Sequence, residues 1–121
     1  ADLQKSMGLS IVLITHDLGI VAGLCERVAV MYAGSIVEAG SAATVFEQAE
    51  HPYTQGLIRS TPRLDDRRDR LVSIEGAPPS LLHPPKGCAF QSRCPGASVS
   101  CWTPSLPAWA DVAKTTEVHA R

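Results

Sequence analysis

The stretch that most constrains this chain is Ser10-Ile11-Val12-Leu13-Ile14, closed by the polar triplet Thr15-His16-Asp17. A short apolar run rich in branched side chains, bounded by Gly8 on one side and polar residues on the other, has the pattern of a strand covered on both faces. It is expected to be a central parallel strand. In an open parallel sheet the ligand site lies just beyond the carboxyl ends of the strands, which makes His16 the first candidate for chemistry. The structural alternative is a strand-end histidine whose ring caps a turn.

The 121 residues are 45% hydrophobic and 19% charged, with a formal net charge of -1. That balance suits one soluble globular unit and offers no Lys/Arg footprint for a nucleic-acid backbone. Apolar runs fall far short of the roughly 20 residues needed to span a bilayer, so membrane association is expected to come through a protein partner. Asp2 to Met7 has the pattern of the last turns of a helix, with Gly8 in the residue after its cap. A helix with an end and no beginning suggests the carboxyl-terminal piece of a longer protein. No G-x-x-x-x-G-K-[ST] loop occurs in the sequence, so the main cradle for nucleotide phosphates is missing from it.

Beyond the triplet, Asp17 is placed to cap a helix in which Leu18, Val21, Ala22 and Cys25, followed by Val28, share one face. Cys25 is expected to act there as a small apolar residue. Arg27–Met31 and Ser35–Glu38, separated by Tyr32-Ala33-Gly34, predict an antiparallel hairpin. Ser41 is placed to cap a helix over 42–48 that turns Val45 and Phe46 inward, and Pro52 suits the first position of another that buries Tyr53, Leu57 and Ile58. Arg63 to Arg70 has the mixed charge of a solvated linker. Leu71 to Ile74 suggests a short strand, and Pro78, Pro79, Pro84 and Pro85 an irregular segment. A boundary is expected near Pro62, dividing residues 1–62 from an extension over 63–121.

That extension carries Gly87-Cys88-Ala89-Phe90-Gln91-Ser92-Arg93-Cys94-Pro95 and then Cys101, three cysteines within 14 residues. Disulfides rarely persist in a reducing cytosol, where clustered thiols more often hold a metal or an iron–sulfur centre. The C-x5-C-x6-C spacing departs from the C-x2-C of most zinc sites.

Three stretches carry a family resemblance. IVLITHDLGIVAGLCERVAVMYAGSIVEAG, residues 11–40, resembles the switch-histidine region of ABC-transporter ATPase subunits. Val45 to Leu57, ending in His-Pro-Tyr-Thr-Gln-Gly-Leu, and the Gly-Cys-x-Phe-x-x-Arg-Cys-Pro…Cys stretch resemble the branch that serves oligopeptide, dipeptide and nickel importers. The resemblance implies an α/β fold, the carboxyl-terminal part of an ABC-type P-loop ATPase domain with a parallel strand, helices and a β-hairpin, followed by an irregular Pro/Cys-rich extension. It implies that His16 contacts the γ-phosphate of ATP, a contact suited to an imidazole N–H that donates without a permanent charge. Phosphate loop, signature motif and Mg²⁺-holding acids would lie in the missing part, so the 121 residues alone are expected to be inactive. Implied partners are a second ATPase subunit in a homo- or heterodimer, membrane-spanning permease subunits and, indirectly, an extracytoplasmic substrate-binding protein. The implied location is the cytoplasmic face of the cell membrane.

For the extension, the resemblance implies that Cys88, Cys94 and Cys101 are ligands of a [4Fe–4S] cluster. The fourth cysteine of that pattern is absent near Thr116–Arg121: either Val118 has taken its place, or His119 substitutes as the fourth ligand, or the cluster is incomplete or lost. His51 and Tyr53 are expected to cap and pack a helix without catalytic work. Two other functions compete with the peptide-importer reading: a small metal- or iron–sulfur-binding module in which the ATPase-like part is scaffold, and a nickel importer subunit.

Overall fold

The structure, a computed structural model, describes residues 6–61 and 73–103. Ser6 and Met7 are helical and Gly8 follows with φ +62°, the left-handed backbone of a helix end that glycine adopts without steric cost. The expected linker Arg63–Arg70, the boundary at Pro62, Leu71, Val72 and His119 lie outside the described residues.

The first correction concerns the apolar run. Residues 9–15 join no sheet, and Ile11, Val12 and Ile14 are 66%, 89% and 93% exposed, so no parallel strand forms among the described residues. A strand needs a neighbour for its backbone N–H and C=O groups, and the described residues supply none here.

The following elements form close to their expected places. Helix α1, Leu18–Leu24, is capped by Asp17, whose Oδ1 accepts from the N–H of Gly19 at 2.8 Å and of Ile20 at 3.2 Å. Leu18, Val21, Cys25 and Val28 are half-buried, while Ala22 stays exposed on the expected inner face. Strands β1, Arg27–Tyr32, and β2, Ser35–Ser41, pair antiparallel across a two-residue turn. Ala33 and Gly34 both have positive φ, 48° and 81°, the combination whose twist matches that of the flanking strands. The register pairs Met31 with Ile36 but Val30 with Glu38, leaving Val37 as a bulge residue. Val30 and Tyr32 are buried while Met31 between them is exposed, the alternation of a sheet covered on one face.

Helix α2, Ala42–Glu47, starts at Ser41, whose Oγ accepts from the Thr44 N–H at 3.1 Å, and it buries Val45 against Gly40. Helix α3, Pro52–Ser60, has Pro52 in its first turn, where a missing N–H costs nothing. Its fully buried residue is Thr54, and the expected Tyr53, Leu57 and Ile58 are half-buried. Among the described residues no helix is long and apolar enough to cross a membrane.

A second correction concerns Leu71–Ile74, since its described residues, Ser73 and Ile74, form no strand. The Ile74 and Glu75 carbonyls accept instead from the Arg93 guanidinium, each at 2.8 Å. Residues 75–87 form neither helix nor strand, and two 3₁₀ turns, Gln91–Arg93 and Val99–Trp102, shape the cysteine-bearing loop.

Candidate functional site

His16 stands in a turn that its neighbours hold. The Asp17 N–H donates to Thr15 Oγ1 at 3.0 Å while the Asp17 carboxylate caps α1, so the residues on either side of His16 do the capping. The His16 ring is exposed and makes no hydrogen bond among the described residues. A capping role is thereby taken from it. What remains is an imidazole carried on a fixed turn, open to a ligand.

A second constellation joins two motifs that lie far apart in sequence. Tyr32 at the end of β1, Tyr53 in the first turn of α3, and Phe90 of the cysteine loop meet at centroid separations of 4.5 Å (Tyr32–Tyr53), 5.3 Å (Tyr32–Phe90) and 5.4 Å (Tyr53–Phe90). The Tyr32–Phe90 pair is edge-on at 89°, which sets the positive rim of one ring against the negative face of the other. Phe90, at 2% exposed, is the most deeply buried apolar side chain among the described residues. Arg93 lies over this cluster, its Cζ 5.9 Å from the Tyr32 centroid and 5.8 Å from that of Phe90. It donates to Tyr32 Oη at 3.1 Å while its other nitrogens hold the Ile74 and Glu75 carbonyls. Burial, with Tyr32 nearby, raises the Tyr53 pKa against the opposing effect of Arg93.

His51 is the polar member. The Tyr53 N–H donates to its Nδ1 at 3.1 Å, capping α3, and its Nε2 lies 3.7 Å from Cys88 Sγ. A neutral imidazole carries one N–H, so an accepting Nδ1 places that proton on Nε2, where it points at the Cys88 sulfur. Burial holds the His51 pKa below its ordinary value, opposed by the negative charge of Glu38. The Glu38 carboxylate, from β2, accepts from the backbone N–H of Glu50 at 2.8 Å and of His51 at 3.2 Å, and so pins the entry to α3.

The cysteines do not meet as a ligand set. Among the described residues no three His, Cys, Asp or Glu side chains gather closely enough to hold a metal. Cys88 faces His51, and Cys101 Sγ lies 3.7 Å from Ser98 Oγ. Hydrogen bonding from the Ser98 backbone, then from its hydroxyl, lowers the Cys101 thiol pKa. Cys88 and Cys101 are joined through the backbone, Cys88 N–H to Cys101 C=O at 2.8 Å, and Gly87 lies so close against Cys101 and Trp102 that no Cβ would fit. His51 is no substitute ligand, since an Nε2 that carries the proton has no lone pair to give. Among the described residues, Cys88, Cys94 and Cys101 as placed therefore do not form a ligand set for an iron–sulfur cluster, and His119 lies outside those residues.

Sequence reasoning places His16, Asp17, Ser41 and Pro52 from local signals but leaves Arg93, Glu38 and Thr54 without structural roles. The doublet of motifs containing His51 and Cys88 was the available signal that the two stretches act together.

Comparison with known proteins bears on all of this. Residues 37–101 match the family model described as the oligopeptide/dipeptide transporter, C-terminal region. The chain is 50% identical over 100 residues to the dipeptide transport ATP-binding protein DppD of Bacillus subtilis, covering 83% of this chain and 30% of that protein. It is 50% identical, with the same coverage, to the oligopeptide transport ATP-binding protein OppD of Salmonella typhimurium. With DppD of Lactococcus lactis it shares 58% identity over 93 residues, 77% of this chain and 27% of that protein. The chain thus spans about 30% of the length of these relatives. It belongs to the family of the oligopeptide/dipeptide transporter C-terminal region.

Proposed function

We propose that this chain is the carboxyl-terminal part of the ATP-binding subunit of an ABC importer for dipeptides or oligopeptides, with His16 as its sensor of the γ-phosphate. The observation that supports the role of His16 is the division of labour in its turn: Thr15 and Asp17 satisfy the backbone, and the ring is left exposed and without a partner among the described residues. An imidazole N–H held there donates to a phosphate oxygen that exists before hydrolysis and departs after it. The contact therefore favours the ATP-bound state, and differential binding of this kind shifts a conformational equilibrium. ATP with Mg²⁺ is the substrate of the whole subunit. Its partners are a second ATP-binding subunit and the membrane-spanning permeases, and its place is the cytoplasmic face of the membrane. The names of the relatives favour peptide over nickel as the cargo.

The test is His16→Ala in the full-length subunit. Nucleotide affinity should stay within about twofold of wild type while hydrolysis falls at least about hundredfold, since the lost interaction is with the transferring phosphoryl group. Wild-type turnover would remove the sensor role. The 121 residues alone should show no turnover, because they contain no phosphate loop.

A further inference from the structure

We propose that His51 and Cys88 form a clasp which seats the cysteine-bearing loop on α3 and the hairpin, with Cys88 as a hydrogen-bond acceptor in place of a cluster ligand. The two partners are 37 residues apart, one at the start of the His-Pro-Tyr-Thr stretch and the other in the Gly-Cys-Ala-Phe stretch. What the sequence presents as two separate signatures is one contact.

The imidazole bridges the two stretches with its two nitrogens doing different work. Nδ1 accepts the Tyr53 N–H and caps the start of α3, and Nε2–H donates to Cys88 Sγ. The assignment is forced by the cap, because Nδ1 cannot both accept that N–H and carry the proton. His51 cannot then serve as general base toward the Cys88 thiol, nor as a metal ligand through Nε2. The pair is therefore a structural connection, not a nucleophilic dyad. Ring packing supports it from the side: His51 and Phe90 stand 5.9 Å apart, and Phe90 in turn packs on Tyr32 and Tyr53. Arg93 locks the far end of the same loop to Tyr32 and to residues 74–75. Glu38 fixes the His51 backbone from the opposite side, so the ring has a rigid base. The loop is thus organised by aromatic packing, one guanidinium and one imidazole, all supplied by the chain.

Because the two nitrogens have separate tasks, two substitutions in the full chain separate them. In His51→Asn the side-chain oxygen stands in for Nδ1 and keeps the cap, while the donor to Cys88 is lost. In His51→Gln the amide nitrogen stands in for Nε2 and keeps that donor, while the cap is lost. The readout is the rate at which iodoacetamide alkylates Cys88, resolved by peptide mass, alongside hydrogen exchange of the α3 amides. In that reaction the sulfur–carbon bond forms as iodide leaves and the thiol proton passes to buffer. His51→Asn should speed Cys88 labelling about tenfold with α3 protection unchanged, because the loop that holds the half-buried sulfur against His51 then opens more often, by the factor one lost hydrogen bond allows. His51→Gln should label Cys88 at the wild-type rate while the Tyr53 amide exchanges faster.

Equal labelling of Cys88 in wild type and His51→Asn would overturn the clasp. So would stoichiometric iron or zinc in the purified full chain that Cys88→Ser loses, because Cys88 would then be a ligand. Should His51→Asn fail to fold, Cys88→Ala decides the matter. Residues 88–102 should then exchange faster with α3 still protected, and unchanged protection of that loop would overturn the proposal.

Discussion

Two histidines divide this molecule, and its folding logic is opposite around each. At His16 the neighbours Thr15 and Asp17 take every local capping task, and the ring is left exposed without a partner among the described residues. At His51 the ring itself is the cap, both nitrogens are engaged, and the Phe90 ring packs against one flank. The lesson is that an imidazole's availability is decided by who else satisfies the backbone around it. A histidine relieved of structural work can answer to a ligand, whereas one that caps a helix and bridges two segments has no lone pair left to offer.

The widest break in this comparison should come from Phe90→Ala. Phe90 is 2% exposed and touches Tyr32, Tyr53 and His51, so truncation removes apolar burial and leaves a cavity that three rings cannot easily close. A cost of about 3 kcal/mol is expected in urea unfolding. The loop of residues 87–102 should lose hydrogen-exchange protection while the capped turn of Asp17 and α1 keeps its own. Equal loss at both places would mean that the two histidine regions are energetically one.

How much of this was legible in the sequence follows the range of the interactions. The Asp17 and Ser41 caps and Pro52 in the first turn are each decided within four residues and form where expected, and the hairpin forms with a turn one residue shorter than the expected Tyr32-Ala33-Gly34, because Tyr32 pairs with Ser35 and ends β1. The run Ile11–Ile14 was legible as a pattern only. Apolar periodicity states that a segment wants covering and does not supply its neighbours, and here it stays exposed. Arg93, His51 and Cys88 illustrate the opposite failure. Arg93 meets Tyr32 across 61 positions and His51 meets Cys88 across 37, distances at which no local spacing rule operates. A cluster of cysteines suggested a metal because composition counts thiols, whereas their direction depends on a loop shaped by Phe90 and Gly87.

Acid should sharpen the contrast with a smaller effect. Burial lowers the folded-state pKa of His51 from its ordinary 6.5, with Glu38 of β2 opposing and Cys88 of the loop facing Nε2. A lowered folded value means that the unfolded chain binds the proton more readily, so stability rises with pH through that range. The contribution is complete above the ordinary value and is lost as pH falls through the lowered one. The unfolding midpoint should therefore drop on acidification, and the part due to His51 should vanish in His51→Asn, whose side chain keeps the cap but does not titrate. An unchanged pH slope in that variant would place the acid sensitivity elsewhere.

The smallest effect expected has the opposite sign. Thr54 is 2% exposed in the first turn of α3, next to Tyr53, and its Oγ1 has no hydrogen-bond partner among the described residues. A hydroxyl taken out of water without compensation costs free energy that a methyl of the same shape would not. Because valine matches threonine in shape and in β-branching, Thr54→Val keeps the packing and the restricted rotamer while removing the orphaned oxygen. It should stabilise the chain by about 0.5 to 1 kcal/mol in urea unfolding. It should also leave Cys88 labelling unchanged, since the clasp runs through His51 and the neighbouring amide. A destabilised Thr54→Val would show that the hydroxyl has a partner in solution, and an ordered water at the foot of the aromatic cluster would then belong to the second histidine's region.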